Sequence, residues 1–162
     1  MNHSKIILLI SVLVLLVASM PASAEEKPVQ LSLFNPIQIV PEEDSISALR
    51  FNLIYGKNAS VKGLDLGLIN HTTSGLSKGL SVAFVSLAEA DFLGVQYSFV
   101  NVTKNEFEGF QWGFVNYAVN CRGLQLGFFN YAETMHGLQI GLINVIREGG
   151  VLPVLPIVNW SF

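Results

Sequence analysis

Cysteine is all but missing. Cys121 stands alone, so no intramolecular disulfide can staple the fold, and stability must come from packing and backbone pairing. Charge is scarce as well, at 13% of residues against about a quarter in ordinary soluble domains. A water-facing surface normally carries more than that. The few lysines and arginines form no stripe and the formal net charge is −3, which excludes nucleic acid as an expected partner. Helical spacing is absent too: apolar residues do not recur at i, i+3 and i+4, and glycine recurs throughout the chain from Gly56 on. His71 and His136 lie far apart in repeat position with no Cys or carboxylate cluster beside them, so no metal or cofactor is expected.

The chain opens on a targeting pattern. Lys5 gives a positive start, Ile6 to Val17 is an apolar run broken only by Ser11, and Ala22-Ser23-Ala24 is a small-residue cleavage site. Residues 1–24 therefore read as a cleaved secretory signal peptide, the apolar run being short for a membrane span of ~20 residues. No cysteine follows the cleavage site to take a lipid. Losing Lys5 moves the formal net charge from −3 to −4.

What the remainder has in abundance is one phrase. Gly109-Phe-Gln-Trp-Gly-Phe-Val-Asn116 is followed by Gly123-Leu-Gln-Leu-Gly-Phe-Phe-Asn130 and Gly137-Leu-Gln-Ile-Gly-Leu-Ile-Asn144, at a step of 14 residues. Further copies begin at Gly63, Gly79 and Gly94, and weaker ones at Pro28, Ala48 and Leu152. Residues 25–162 thus read as a single β repeat domain of nine units of about 14–16 residues, with no linker dividing it.

Within the unit, positions two, four and six are apolar in every copy, as in Phe110, Trp112 and Phe114. Position three is a polar column: Gln30, Arg50, Asp65, Ser81, Gln96, Gln111, Gln125 and Gln139. Position five is mostly small, as in Gly113, Gly127 and Gly141. Such alternation makes a strand with one greasy, wide face and one narrow, polar face. Two apolar residues at positions six and seven, then Asn at eight, announce a bulge or a corner.

Two all-β architectures satisfy these rules. The favoured one is an antiparallel meander closed as a small outer-membrane barrel of about 8–10 strands, apolar face to lipid and the polar column lining a filled lumen. There Arg50 and Asp65, on successive units of one column, should meet as a buried ion pair. The alternative is a parallel β-solenoid, with the greasy columns inside, the Gln column in water and Asn ladders at the corners.

The last residues, Pro156-Ile-Val-Asn-Trp160-Ser-Phe162, resemble the closing-strand signal of bacterial outer-membrane barrels, in which a terminal aromatic is read by the assembly machinery. Pro153 and Pro156 depart from that pattern because proline cannot donate to a ladder. The Gly-Leu-Gln-x-Gly-x-x-Asn units resemble short surface repeats of Gram-negative envelope proteins. Together these resemblances imply an outer-membrane or surface location, with membrane lipid, the assembly machinery and an unidentified surface partner as contacts. They bring no catalytic residues with them.

One pattern points elsewhere. Gly75-Leu-Ser77-Lys-Gly79 matches G-x-S-x-G, and Asp91 and His136 follow in hydrolase order. The motif requires a strand, a sharp turn and a helix, and here a repeat strand follows Ser77 instead. Asn58, Asn70, Asn101 and Asn159 fit the glycosylation sequon but belong to the repeat itself. The expected function is therefore a non-enzymatic outer-membrane or surface protein with a structural or interaction role. A secreted, adhesin-like solenoid binding module is the alternative, and a serine hydrolase using Ser77 a remote one.

Overall fold

In the computed structural model the described residues are 25–162; residues 1–24, read from the sequence as a signal peptide, lie outside them. Alternation makes strands throughout: β1 (Glu26–Phe34), β2 (Ile37–Gln38), β3 (Ser45–Asn58), β4 (Lys62–Thr72), β5 (Leu76–Ala88), β6 (Asp91–Glu148) and β7 (Val154–Ser161), with no helix among the described residues. At 58 residues, β6 is not one straight strand. It is extended chain that winds through four consecutive repeats.

The pairing overturns the barrel. β1 pairs with β3, β3 with β4, β4 with β5 and β5 with β6, all in parallel. A meander barrel needs antiparallel neighbours. Instead each unit continues in the same rotational sense and lands on the one before, Gly63 on Gly79 and Gly79 on Gly94. The molecule is a β-solenoid, and equivalent positions stack into columns because every coil repeats the last.

The solenoid nevertheless turns its faces the opposite way from the solenoid expected above. The polar column is inside: Gln30, Arg50, Ser81, Gln96, Gln111, Gln125 and Gln139 are fully buried and Asp65 nearly so, while Phe84, Phe99 and Trp112 on the apolar columns are about half exposed. Polar side chains tolerate an interior only when every group finds a partner. Stacking provides one. Gln111 donates through Nε2 to Oε1 of Gln96 at 2.8 Å, Gln125 to Gln111 at 2.7 Å and Gln139 to Gln125 at 2.7 Å.

A second ladder runs beside it with the opposite polarity. Asn101 donates to Asn116, Asn116 to Asn130 and Asn130 to Asn144, each at 2.8 Å. Glutamines thus donate towards the N-terminal end and asparagines towards the C-terminal end. Backbone carbonyls fix both directions: Gln139 Nε2 also donates to Val145 O at 3.0 Å, and Asn130 Nδ2 to Ile140 O at 2.9 Å. The polarity leaves one acceptor over at each ladder's tail, and the unpartnered Oε1 of Gln139 and Oδ1 of Asn101 are those two atoms.

Where the column changes chemistry the chain of bonds continues. Gln96 donates to Ser86 at 3.2 Å, Ser86 and Ser81 share a bond of 3.0 Å, and Ser81 reaches Asp65 at 3.5 Å. Asp65 in turn accepts from Arg50 through both oxygens, at 2.7 and 2.8 Å. The ion pair expected from the shared column is present, inside a coil rather than a barrel lumen.

Glycine at position one makes the corner. Gly123 has φ 138°, a region that L side chains rarely adopt, and a Cβ there would run into the carbonyl oxygen of Gly109. Behind that corner the second half of each coil supplies the dry part of the core. Phe92, Phe107, Ala118, Cys121, Ala132, Met135 and Ile146 pack as one buried cluster.

Both ends of the stack are covered by a reversal. β2 folds back antiparallel on β1, and β7 returns antiparallel over the last coil, setting Trp160 against Leu138. Trp160 therefore belongs to a strand that ends a stack, not one that closes a barrel, and Phe162 follows just past that strand's end. Pro156 within β7 and Pro153 just before it lack the N–H a further strand would need, which blunts the edge.

Candidate binding surface

A coil of this solenoid has two outward sides of unlike chemistry. Positions two, four and six point away from the Gln column and form the front wall, on which no charged residue stands. On every second row it shows Leu53 57%, Phe84 54%, Trp112 49% and Leu142 52% exposed. Ordinary monomers scatter exposed apolar residues singly. Here they are contiguous from the first coil to the last.

Stacking turns repeated aromatics into rods. The rings of Phe84, Phe99, Phe114 and Phe128 lie face to face at 5.0, 5.0 and 4.9 Å, with planes within 8° of parallel. Tyr97 and Trp112 sit 5.0 Å apart in the neighbouring column. The parallel ladder holds successive coils about 4.8 Å apart, close to the spacing stacked rings prefer.

Two unlike edges frame this wall. On one side the residue before each leading glycine gives an exposed column that includes Lys62, Lys78, Glu108, Arg122 and His136. On the other, past the Asn ladder, Tyr117 and Tyr131 stack at 5.1 Å. Most remaining charges lie on the back of the coil, among them Glu89, Lys104, Glu133 and Arg147.

A polar relay that the sequence did not announce runs from that second edge onto the back of the coil. The Tyr55 hydroxyl and His71 Nδ1 are 2.8 Å apart, His71 Nε2 is 3.2 Å from Glu89, and Glu89 is 3.2 Å from Lys104. Burial pushes His71 below the usual imidazole range, against the pull of Glu89. Lys104, then His71, hydrogen-bond to the Glu89 carboxyl and hold it low. The signal that could have found its last link is register, since Ala88 pairs with Thr103 and so sets Glu89 beside Lys104.

The hydrolase constellation is not assembled. Ser77 is buried within β5, and its hydroxyl accepts from the Val61 N–H at 3.2 Å. Asp91 is engaged by Asn105 at 2.6 Å. His136 shares a column with Lys78 but lies four coils on, roughly 19 Å at the spacing of β-strands. Asn58, Asn70, Asn101 and Asn159 are all buried, which removes them as glycan acceptors in the folded chain. Among the described residues no three His, Cys, Asp or Glu side chains gather as a metal site.

Comparison with protein families, with curated proteins and with solved structures gave no match.

Proposed function

We propose that this chain is an exported, non-enzymatic binding module of the bacterial cell surface, an adhesin-like solenoid whose working part is its front wall. One observation carries the reading: a rigid stack presents a whole sheet face that is apolar, aromatic and free of charge. Such a face is costly in water and useful only against a partner. The leader at residues 1–24 and the resemblance of the repeats to envelope proteins support export and an outer-membrane address. Rigidity suits the role, because a wall fixed by amide ladders and ring stacks loses little entropy on docking.

The test is made in cells. With an epitope tag placed in the Val119–Asn120 segment on the back of the coil, the protein is expected in the envelope fraction and open to an impermeant label on intact cells. Retention of the full-length chain in the cytoplasm with its leader uncleaved would refute the proposal.

A further inference from the structure

We infer that the C-terminal end of the stack is a second binding site, at which β7 lifts away and a foreign strand carrying the chain's own phrase, Gly-x-Gln-x-Gly-x-x-Asn, adds in parallel as the next coil. This site lies apart from the front wall and does not depend on it. The two ends of the glutamine ladder are finished differently. At the N-terminal end Gln30 is closed by backbone: its Nε2 donates to Val40 O at 3.0 Å and its Oε1 accepts from the Val40 N–H at 2.9 Å. Towards the other end each glutamine offers Oε1 to the coil that follows, as Gln125 does to Gln139. The buried Oε1 of Gln139 therefore faces β7, and it has no partner there. Asn159 is the residue of β7 set against Gln139, yet its amide turns to Asn144 O, Leu152 O and the Trp160 N–H. β7 extends the backbone ladder and leaves the side-chain ladder open.

β7 is also a strained cover. Ile157 sits at φ 71°, a region that a β-branched residue adopts only under constraint. Beside it the register slips, so that Leu142 and Ile143 stand opposite Pro156 alone, which has no N–H to give. A parallel coil lacks both faults. Its Gln would donate to Gln139, and its Asn would accept from Asn144, which in the closed form donates to Leu155 O at 3.2 Å. Its glycines are compulsory, because a Cβ at Gly137 or Gly141 meets the carbonyl oxygen of the glycine one coil below, and the next coil repeats that contact. A second folded copy cannot fill the place, since its own first glutamine, Gln30, is already closed by Val40. The occupant is a repeat strand not yet wound into a stack, taken up by strand addition.

The probe is a fluorescent peptide with the phrase of residues 137–144 between lysine pairs, mixed with the purified chain and followed by anisotropy. Saturable binding is expected, with the amides of β7 losing protection from hydrogen exchange and those of β1 unchanged. Leucine in place of the peptide's glutamine should weaken binding about fivefold, the worth of one neutral hydrogen bond. Alanine in place of its glycines should abolish it. Ile157→Gly relieves the strain, so it should protect β7 and weaken binding. A lock completes the set: Leu138→Cys with Trp160→Cys, in a Cys121→Ala background. These two positions face each other across β6 and β7, and the N–H and C=O of Trp160 point away, to Asn159 Oδ1 and the Val151 N–H. Such a pair without mutual hydrogen bonds lies close enough for a disulfide. The oxidised lock should not bind the peptide, and reductant should restore binding.

Absence of peptide binding overturns the inference. Binding that survives the oxidised lock, or that ignores the peptide's glutamine and glycines, overturns it too, since the peptide would then lie on the apolar wall. So does binding without loss of protection in β7, or binding that stays unchanged although Ile157→Gly protects β7. Should the locked variant fail to fold, exchange in β7 and the leucine peptide, both read on the unaltered chain, still decide. None of these results touches the surface reading above, which stands or falls on labelling in cells.

Discussion

Replacing Arg50 with glutamine while Asp65 stays in place leaves a carboxylate inside the stack without its cation. Arg50 is fully buried and Asp65 is 5% exposed, and two bonds of 2.7 and 2.8 Å join them. Breaking a buried pair from one side costs about 3–5 kcal/mol, most of it the uncompensated charge. Asp65→Gln should cost a similar amount, stranding the guanidinium instead. The double variant is another matter. Gln30, Gln96, Gln111, Gln125 and Gln139 already occupy this column, so two more glutamines extend an arrangement the interior accepts. The residual loss is the bond from Arg50 Nη1 to His71 O at 2.8 Å, about 1 kcal/mol. The two single costs and the double cost then differ by roughly 5 kcal/mol or more, a coupling well above that of independent sites. Urea unfolding followed by circular dichroism, on all four corners of the cycle, measures it. If the double variant loses as much stability as the singles added together, the column does not work as described.

Other changes probe other parts of the coil. Gly123→Ala, at φ 138° against the Gly109 carbonyl, should cost about 1–3 kcal/mol in strain alone and more from the clash. Gly75→Ala, at φ 68° in open surroundings, should cost only about 1–2 kcal/mol, and equal unfolding midpoints would refute the corner argument. A short polar insertion between Val119 and Asn120 should leave folded yield intact, whereas one between Gln125 and Leu126 should abolish it by turning the following side chains to the wrong face. Burial raises the Cys121 thiol to about 12, so it should resist iodoacetamide at mild alkaline pH until the chain unfolds. Because only the unfolded thiol ionises from about pH 8.5, stability should fall as pH rises from there towards 12, and Cys121→Ala should remove that part of the slope.

The strict columns were legible at once, and with them the Arg50–Asp65 contact, because a 14-residue repeat forces equivalent positions together in any regular stack. Topology was not legible. Alternation within Gly123–Asn130 says that Leu124 and Leu126 share a face opposite Gln125, but the next unit could return antiparallel or continue parallel. What decides is the corner, set by Gly123 at positive φ and by Asn130, whose amide bonds to the coil above. The orientation of the faces was read correctly only in the wrong architecture. By the sequence alone an outward wall of leucine and phenylalanine is admissible only in lipid, so a solenoid is expected to bury it; the amide ladders make the reverse possible. The apolar part of the interior was not legible, since Ala118, Cys121, Ala132 and Met135 fall in the half of the unit beyond the eight aligned positions. Alternation of Ala with Cys or Met at a constant offset was the signal available.

An interior of glutamine and asparagine beneath an outward wall of leucine and phenylalanine changes the calorimetry of the chain. Exposing apolar surface raises heat capacity by about 0.45 cal/K/mol/Å², and exposing polar surface lowers it by about 0.26. Unfolding here releases amides that were hidden, while much of the apolar side-chain area of the wall is already in water. The increment per residue should therefore fall below the usual ~12–15 cal/mol/K, giving a broad, shallow stability curve with little cold sensitivity. The missing heat-capacity change is deferred rather than lost. It belongs to the step in which the wall is covered, so that docking carries the calorimetric mark that folding carries in ordinary domains.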